Sequence, residues 1–131
     1  MIDYNDLIGK PFQDQGRGPH GYDCYGLLVE IYRRNGITLP PVNVSVCACQ
    51  DLPQAEINKH IKNWNKLKEP EIPCAILIKA HLGYAQHIAA YIGNRRMIHV
   101  TADRAVVVDP ISKYKNKIIG FYQYVYNNHI N

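Results

Sequence analysis

The strongest constraint on the fold is a change of hydrophobic period half-way along the chain. Residues 23–36 carry a helical signature. Asp23 stands at the capping position, followed by Cys24, Leu27, Leu28 and Ile31 at i, i+3, i+4 and i+7. Arg33 and Arg34 fall in the last turn, where cations suit the helix dipole, and Asn35-Gly36 forms a stop. From Cys74 onward the apolar residues come instead in short β-branched and aromatic runs separated by turns. Strands are expected over residues 74–79, 87–92, 96–101, 106–108 and 117–126, with Gly93-Asn94-Arg95 turning a hairpin. Before the main helix, residues 4–8 read as a short helix stopped by Gly9 and Pro11. Residues 13–21, with three glycines and a proline, read as a loop. A second helix is expected over 51–62, capped by Asp51 with Pro53 in its first turn, and a polar connector around Trp64 over 63–73. Helices first, then strands with short turns, predict an α+β fold: helices packed on an antiparallel sheet of about five strands.

At 131 residues the chain suits a single domain, 1–131. With 47% hydrophobic and 20% charged residues it reads as globular. No run of about 18 apolar residues could cross a membrane as a helix. The opening Met1-Ile2-Asp3-Tyr4-Asn5-Asp6 has no signal-peptide pattern. A net charge of +4 is too mild to point to nucleic acid, and the lysines at 59, 62, 66 and 68 read as a solvated face. Ten of the thirteen aromatics are tyrosine, which suits strands or the wall of a ligand groove. The four cysteines show no zinc-ligand spacing, and no metal or cofactor is expected. A chain long enough to bury a core does not need a disulfide framework, so Cys47, Cys49 and Cys74 read as small buried hydrophobes.

Cys24 differs in its neighbourhood. At the first turn of a capped helix, free backbone N–H groups and the dipole favour a thiolate, and a nearby imidazolium would favour it further. Of six histidines, His87 and His99 stand on the two arms of the expected hairpin, twelve residues apart. They share a face only if the hairpin carries a three-residue loop or a bulge, which is therefore expected; His99 then lies beside Ala89, with His87 its diagonal neighbour. The small Ala89 would leave room for a helix terminus to approach. The result is a Cys–His–His arrangement: Cys24 as nucleophile, His87 as general base, and His99 orienting the His87 ring. Taken singly, a helix cysteine is more often a core residue and a strand histidine a satisfied polar group. Arg17 and His20, in the loop before Cys24, are candidates to bind substrate carboxylates or are simply solvated. Tyr22 and Asp23, the two residues before the cysteine, are candidates for oxyanion or substrate contacts. His60, His81 and His129 are assigned no role.

Two separated segments carry a family resemblance. Gly21-Tyr22-Asp23-Cys24-Tyr25-Gly26-Leu27-Leu28 resembles the Asp-Cys-Ser-Gly-Leu-Val motif of NlpC-type cell-wall cysteine peptidases. His87-Ile88-Ala89-Ala90-Tyr91-Ile92-Gly93-Asn94, with the later Met97-Ile98-His99, is similar to the family's His-Val-Gly-Ile-Tyr-Leu-Gly segment and following Ile-His-Ala. The resemblance covers about residues 4–126. It implies a papain-like α+β fold, the triad Cys24, His87 and His99, and hydrolysis of an amide bond between D-γ-glutamate and a diamino acid in peptidoglycan stem peptides through a thioester. Gly9-Lys10-Pro11-Phe12, Gly16-Arg17-Gly18 and Gly120-Phe121-Tyr122 look like the stand-alone members found among phage tail proteins. That variant implies a protein made in the cytoplasm, carried by a tail or other particle, and acting at the cell wall. Phe12 stands where the family often has a tyrosine that assists the oxyanion, and Tyr22 is the substitute donor considered.

Overall fold

The computed structural model describes residues 2–40, 64–79 and 86–125. A 3-10 turn, Asn5–Leu7, leads through the glycine-rich loop into helix α1, Cys24–Arg34. Six strands follow: β1 Trp64–Leu67, β2 Cys74–Lys79, β3 Gln86–Gly93, β4 Arg96–Thr101, β5 Arg104–Pro110 and β6 Ile118–Tyr124. A second 3-10 turn, Ile111–Tyr114, joins β5 to β6. The strands form one antiparallel sheet in the order β1-β6-β2-β3-β4-β5. One helix on an antiparallel sheet is the expected α+β architecture, with six strands where about five were expected.

The helix begins and ends where its sequence signals stand. The Asp23 side chain accepts from Gly26 N at 2.6 Å, satisfying a first-turn donor that has no partner within the helix. At the other end Gly36 takes φ +83, a left-handed conformation that costs glycine little. The apolar stripe buries Leu27, Leu28, Ile31 and Tyr32 almost completely, each worth about 1.5–3 kcal/mol of transfer free energy. The opposite side carries Glu30, Arg33 and Arg34, tied to one another and to Asp6 by ion pairs.

The sheet is apolar on both faces. One packs under α1 and includes Ala75, Ala90, Ile98, Val100 and Val106, with Trp64, Tyr122 and Tyr124 at its edge. The other gathers Cys74, Ile76, Ile78, Ala89, Tyr91, Met97 and Ile111, with Phe121 and Tyr114 against them. Successive residues point to opposite faces, so this division follows directly from the pairing Cys74↔Tyr91↔Met97 beside Ala75↔Ala90↔Ile98.

Two assignments need correction. Residues 64–67, expected as connector, form β1 and pair with β6, and Trp64 packs between Tyr32 and Tyr124 at 5.8 and 5.3 Å. The strand expected at 106–108 runs from Arg104 to Pro110. The helix expected over 51–62 lies outside the described residues. Among the described residues no helix is long and apolar enough to cross a membrane.

Candidate active site

The hairpin expected to align His87 with His99 does so through a bulge. Asn94 and Arg95 form a two-residue turn with φ of 54° and 57°, flanked by Gly93 at 95°. Gly93 pairs with Arg96, yet the next pair is Tyr91 with Met97, so Ile92 is the extra residue. The shift restores the parity that brings the two histidines to one face. Nε2 of His87 lies 2.9 Å from Nδ1 of His99, with ring centroids 5.1 Å apart.

A third group, which the sequence reading missed, continues the chain. Nε2 of His99 lies 2.8 Å from Oδ2 of Asp109, within hydrogen-bond distance. Asp109 is buried near the end of β5, and His99 is fully buried on β4. The same carboxylate accepts from Arg104 and from the Tyr114 hydroxyl, each at 3.3 Å on Oδ2, and faces Lys113 at 3.5 Å on Oδ1. The ring of Tyr114 meets His99 edge-on at 5.5 Å. The Thr101–Arg104 turn alone would pair His99 with Val106; a register shift between His99 and Thr101 pairs it with Val107 instead, and that shift puts Asp109 diagonally next to His99 on the same face.

The charges of this chain are set by its burial. Burial first, and the neighbouring His99 second, push His87 down to about 3. Burial also lowers His99, against the opposing pull of the Asp109 carboxylate. Burial works to raise Asp109, but the hydrogen bond from His99 and the charges of His99, Arg104 and Lys113 hold it below the usual carboxylate value. At neutral pH the chain is therefore two neutral imidazoles ending on a carboxylate.

Cys24 is buried at the first residue of α1, beside its cap, as expected. Its sulfur, however, is held in a disulfide, which corrects the expectation of a free thiol; the partner lies outside the described residues. Cys74 is a free buried thiol whose pKa burial raises to about 11, the inert behaviour expected of it. Cys47 and Cys49 lie outside the described residues. A second correction concerns the approach of the helix. α1 packs on β3 and β4 through the face of Ala90 and Ile98. His87 shares the opposite face with Ala89, and it is the second residue of β3, at the rim of the sheet. The small residue beneath α1 is thus Ala90 rather than Ala89.

The lesser candidates fall elsewhere. Arg17 binds Asp23 at 2.8 Å and stacks over the Tyr25 ring at 5.6 Å. It buttresses the helix cap and is not merely a solvated loop residue. Asp23 is wholly buried, with Oδ1 on Gly26 N and Arg17; Oδ2 has no hydrogen-bond partner among the described residues. Tyr22 is buried against Gly18 and lines a cavity with Asp6, Lys10, Arg17 and Arg34, a set that contains neither histidine. His20 is exposed in the loop. Among the described residues no cluster could hold a metal ion.

An α1 helix headed by Cys24 and an antiparallel sheet bearing His87 and His99 define a papain-like α+β domain. Residues 9–124 match the model of the NlpC/P60 family, and the chain belongs to that family. A Bacillus cereus γ-D-glutamyl-L-lysine dipeptidyl-peptidase is 28% identical over 110 residues, covering 81% of this chain and 29% of that protein. A solved NlpC/P60 family protein from Bacillus cereus superposes with TM-score 0.64 at 24% identity, over 95% of this chain and 41% of its own. The NlpC/p60 domain of the peptidoglycan hydrolase SagA gives TM-score 0.58 at 16% identity, over 91% of both chains. These structures share the fold, and the chain spans under a third of the curated relative.

Proposed function

We propose that this domain is a cysteine peptidase that hydrolyses an amide bond in peptidoglycan stem peptides, between D-γ-glutamate and a diamino acid, at the cell wall. The observation that carries the reading is the hydrogen-bonded pair His87–His99, part-buried, in an NlpC/P60 chain with a cysteine at the capped first turn of α1. The named activity of the Bacillus cereus relative supports the choice of bond.

In this reading the disulfide at Cys24 is first reduced by an external thiol, because a sulfur in a disulfide is neither acid nor nucleophile. His87, neutral at physiological pH, then takes the thiol proton. The sulfur attacks the scissile carbonyl carbon and the carbonyl electrons move to oxygen. First-turn N–H groups of α1 stabilise that oxyanion. The C–N bond breaks, His87 returns the proton to the leaving amine, and an acyl thioester remains on Cys24. Water, deprotonated by His87, releases the acid and regenerates the thiol. His99 holds the His87 ring through these transfers.

Mass spectrometry of a defined L-Ala-γ-D-Glu-L-Lys-D-Ala tetrapeptide incubated with the reduced protein tests the proposal. Cleavage after D-glutamate, lost in Cys24→Ala, is the expected result. Intact substrate with reduced wild type would overturn it. That outcome would favour a domain kept for docking in a phage tail or envelope particle.

A further inference from the structure

We infer that Asp109 is a positioning residue that fixes where the protons lie in the histidine pair. This rests on the proposed role of His87 as base. The chain of donors and acceptors leaves little freedom. A carboxylate held below its usual pKa only accepts, so the proton shared with His99 sits on Nε2 of His99. A neutral His99 protonated at Nε2 presents a bare Nδ1. Nε2 of His87, 2.9 Å away, must then carry the hydrogen that points at it. With Nε2 so committed, Nδ1 of His87 is left as the lone-pair nitrogen, and it has no hydrogen-bond partner among the described residues. The carboxylate thus selects, two rings away, which nitrogen of His87 can take a proton.

The surroundings of Asp109 suit this task. Tyr114 and Arg104 converge on Oδ2 and Lys113 on Oδ1, so the carboxylate is held from three sides while His99 takes the fourth. Arg104 is partly and Lys113 about half exposed to solvent, and such ion pairs contribute little by themselves. His99, 2% exposed, has no water to replace this acceptor. When His87 takes a proton, the positive charge is stabilised through His99 by the Asp109 carboxylate.

Ring nitrogen-15 NMR of the full chain carrying Cys24→Ala reads the tautomers directly. The expected spectrum shows Nε2–H on both His87 and His99. Asp109→Asn keeps an acceptor oxygen but removes the charge. It should leave both tautomers in place, lower the titration midpoint of the pair, and move the acidic limb of kcat/KM in reduced, Cys24-intact protein to lower pH. His87, Arg104, Lys113 and Tyr114 remain, so the displaced limb reports the carboxylate. Asp109→Leu removes the acceptor as well; mixed tautomers are expected, with kcat down by about 10–100-fold and KM within about twofold. Should Asp109→Leu fail to fold, the displaced limb of Asp109→Asn decides. A proton on Nδ1 of His99 in the parent protein would overturn the inference. So would Asp109 variants whose tautomers and pH limb match the parent. The two readings fail separately: hydrolysis that survives Cys24→Ala removes the base role of His87 but leaves the tautomer result standing, whereas Cys24-dependent hydrolysis with tautomers indifferent to Asp109 removes only the role of Asp109.

Discussion

Cys24 shows what a local sequence signal carries. Its place at the head of a capped helix is written in Asp23, in the apolar stripe behind it, and in the glycine-rich loop before it. Its oxidation state is not, because a disulfide depends on which sulfur the folded chain brings near. Peptide hydrolysis should therefore depend on a reductant. Activity that is absent without one and appears on adding a phosphine, with two thiols per chain newly open to alkylation, is the expected outcome. Asp23 has a second task at the same scale. It satisfies Gly26 N and pairs with Arg17, so Asp23→Ala should lower stability by about 1–2 kcal/mol in urea denaturation. His99 and Asp109 mark the limit of single-residue reading. Each is an unremarkable strand residue until cross-strand pairing puts a buried acceptor beside a buried ring.

Between elements, close approach and turn chemistry decide. The carbonyl of Gly16 crosses the first turn of α1 so closely that a Cβ at Gly26 would run into it. Gly26→Ala should cost roughly 1–3 kcal/mol, read as a lowered Tm, because loop and helix must separate. The β3–β4 turn offers the opposite case. Arg95 holds φ 57°, a conformation that strains a residue with a Cβ. Its backbone N–H donates to the Tyr91 hydroxyl and its C=O accepts from Ile111 N, and neither bond needs its side chain. Arg95→Gly should therefore raise stability by about 0.5–1 kcal/mol, since Asn-Gly is the favoured pair for such a turn; calorimetry checks it. β1 was hidden for a related reason. Trp64-Asn65-Lys66-Leu67 has no strand composition of its own and is a strand only because β6 offers it a partner.

At the scale of the whole molecule the paired histidines couple folding to pH. His87 binds a proton far less readily folded, at about 3, than the ordinary histidine value of 6.5. His99 is displaced the same way. As pH falls below 6.5 the unfolded chain takes up protons that the folded chain refuses, so stability drops. Asp109, held low by its hydrogen bond with His99 and then by the charges beside it, adds to the loss below its unfolded value of 3.8. Thermal melts should show a plateau above pH 6.5 and a falling Tm toward pH 3, and a His87→Gln, His99→Gln chain should lose most of the slope between 6.5 and 4.

By itself the sequence determined the α+β order of elements, the caps of α1, the short strands, and the likeness that singles out Cys24, His87 and His99. Those are properties of neighbouring residues: period, capping and turn chemistry act over a few positions. The tertiary structure alone decided that a bulge at Ile92 aligns the histidines, that Asp109 ends their chain, that α1 rides on the Ala90 face, and that residues 64–67 are a strand. Each of these depends on register between segments distant in sequence, and a shift of one residue in a sheet turns every side chain to the other face.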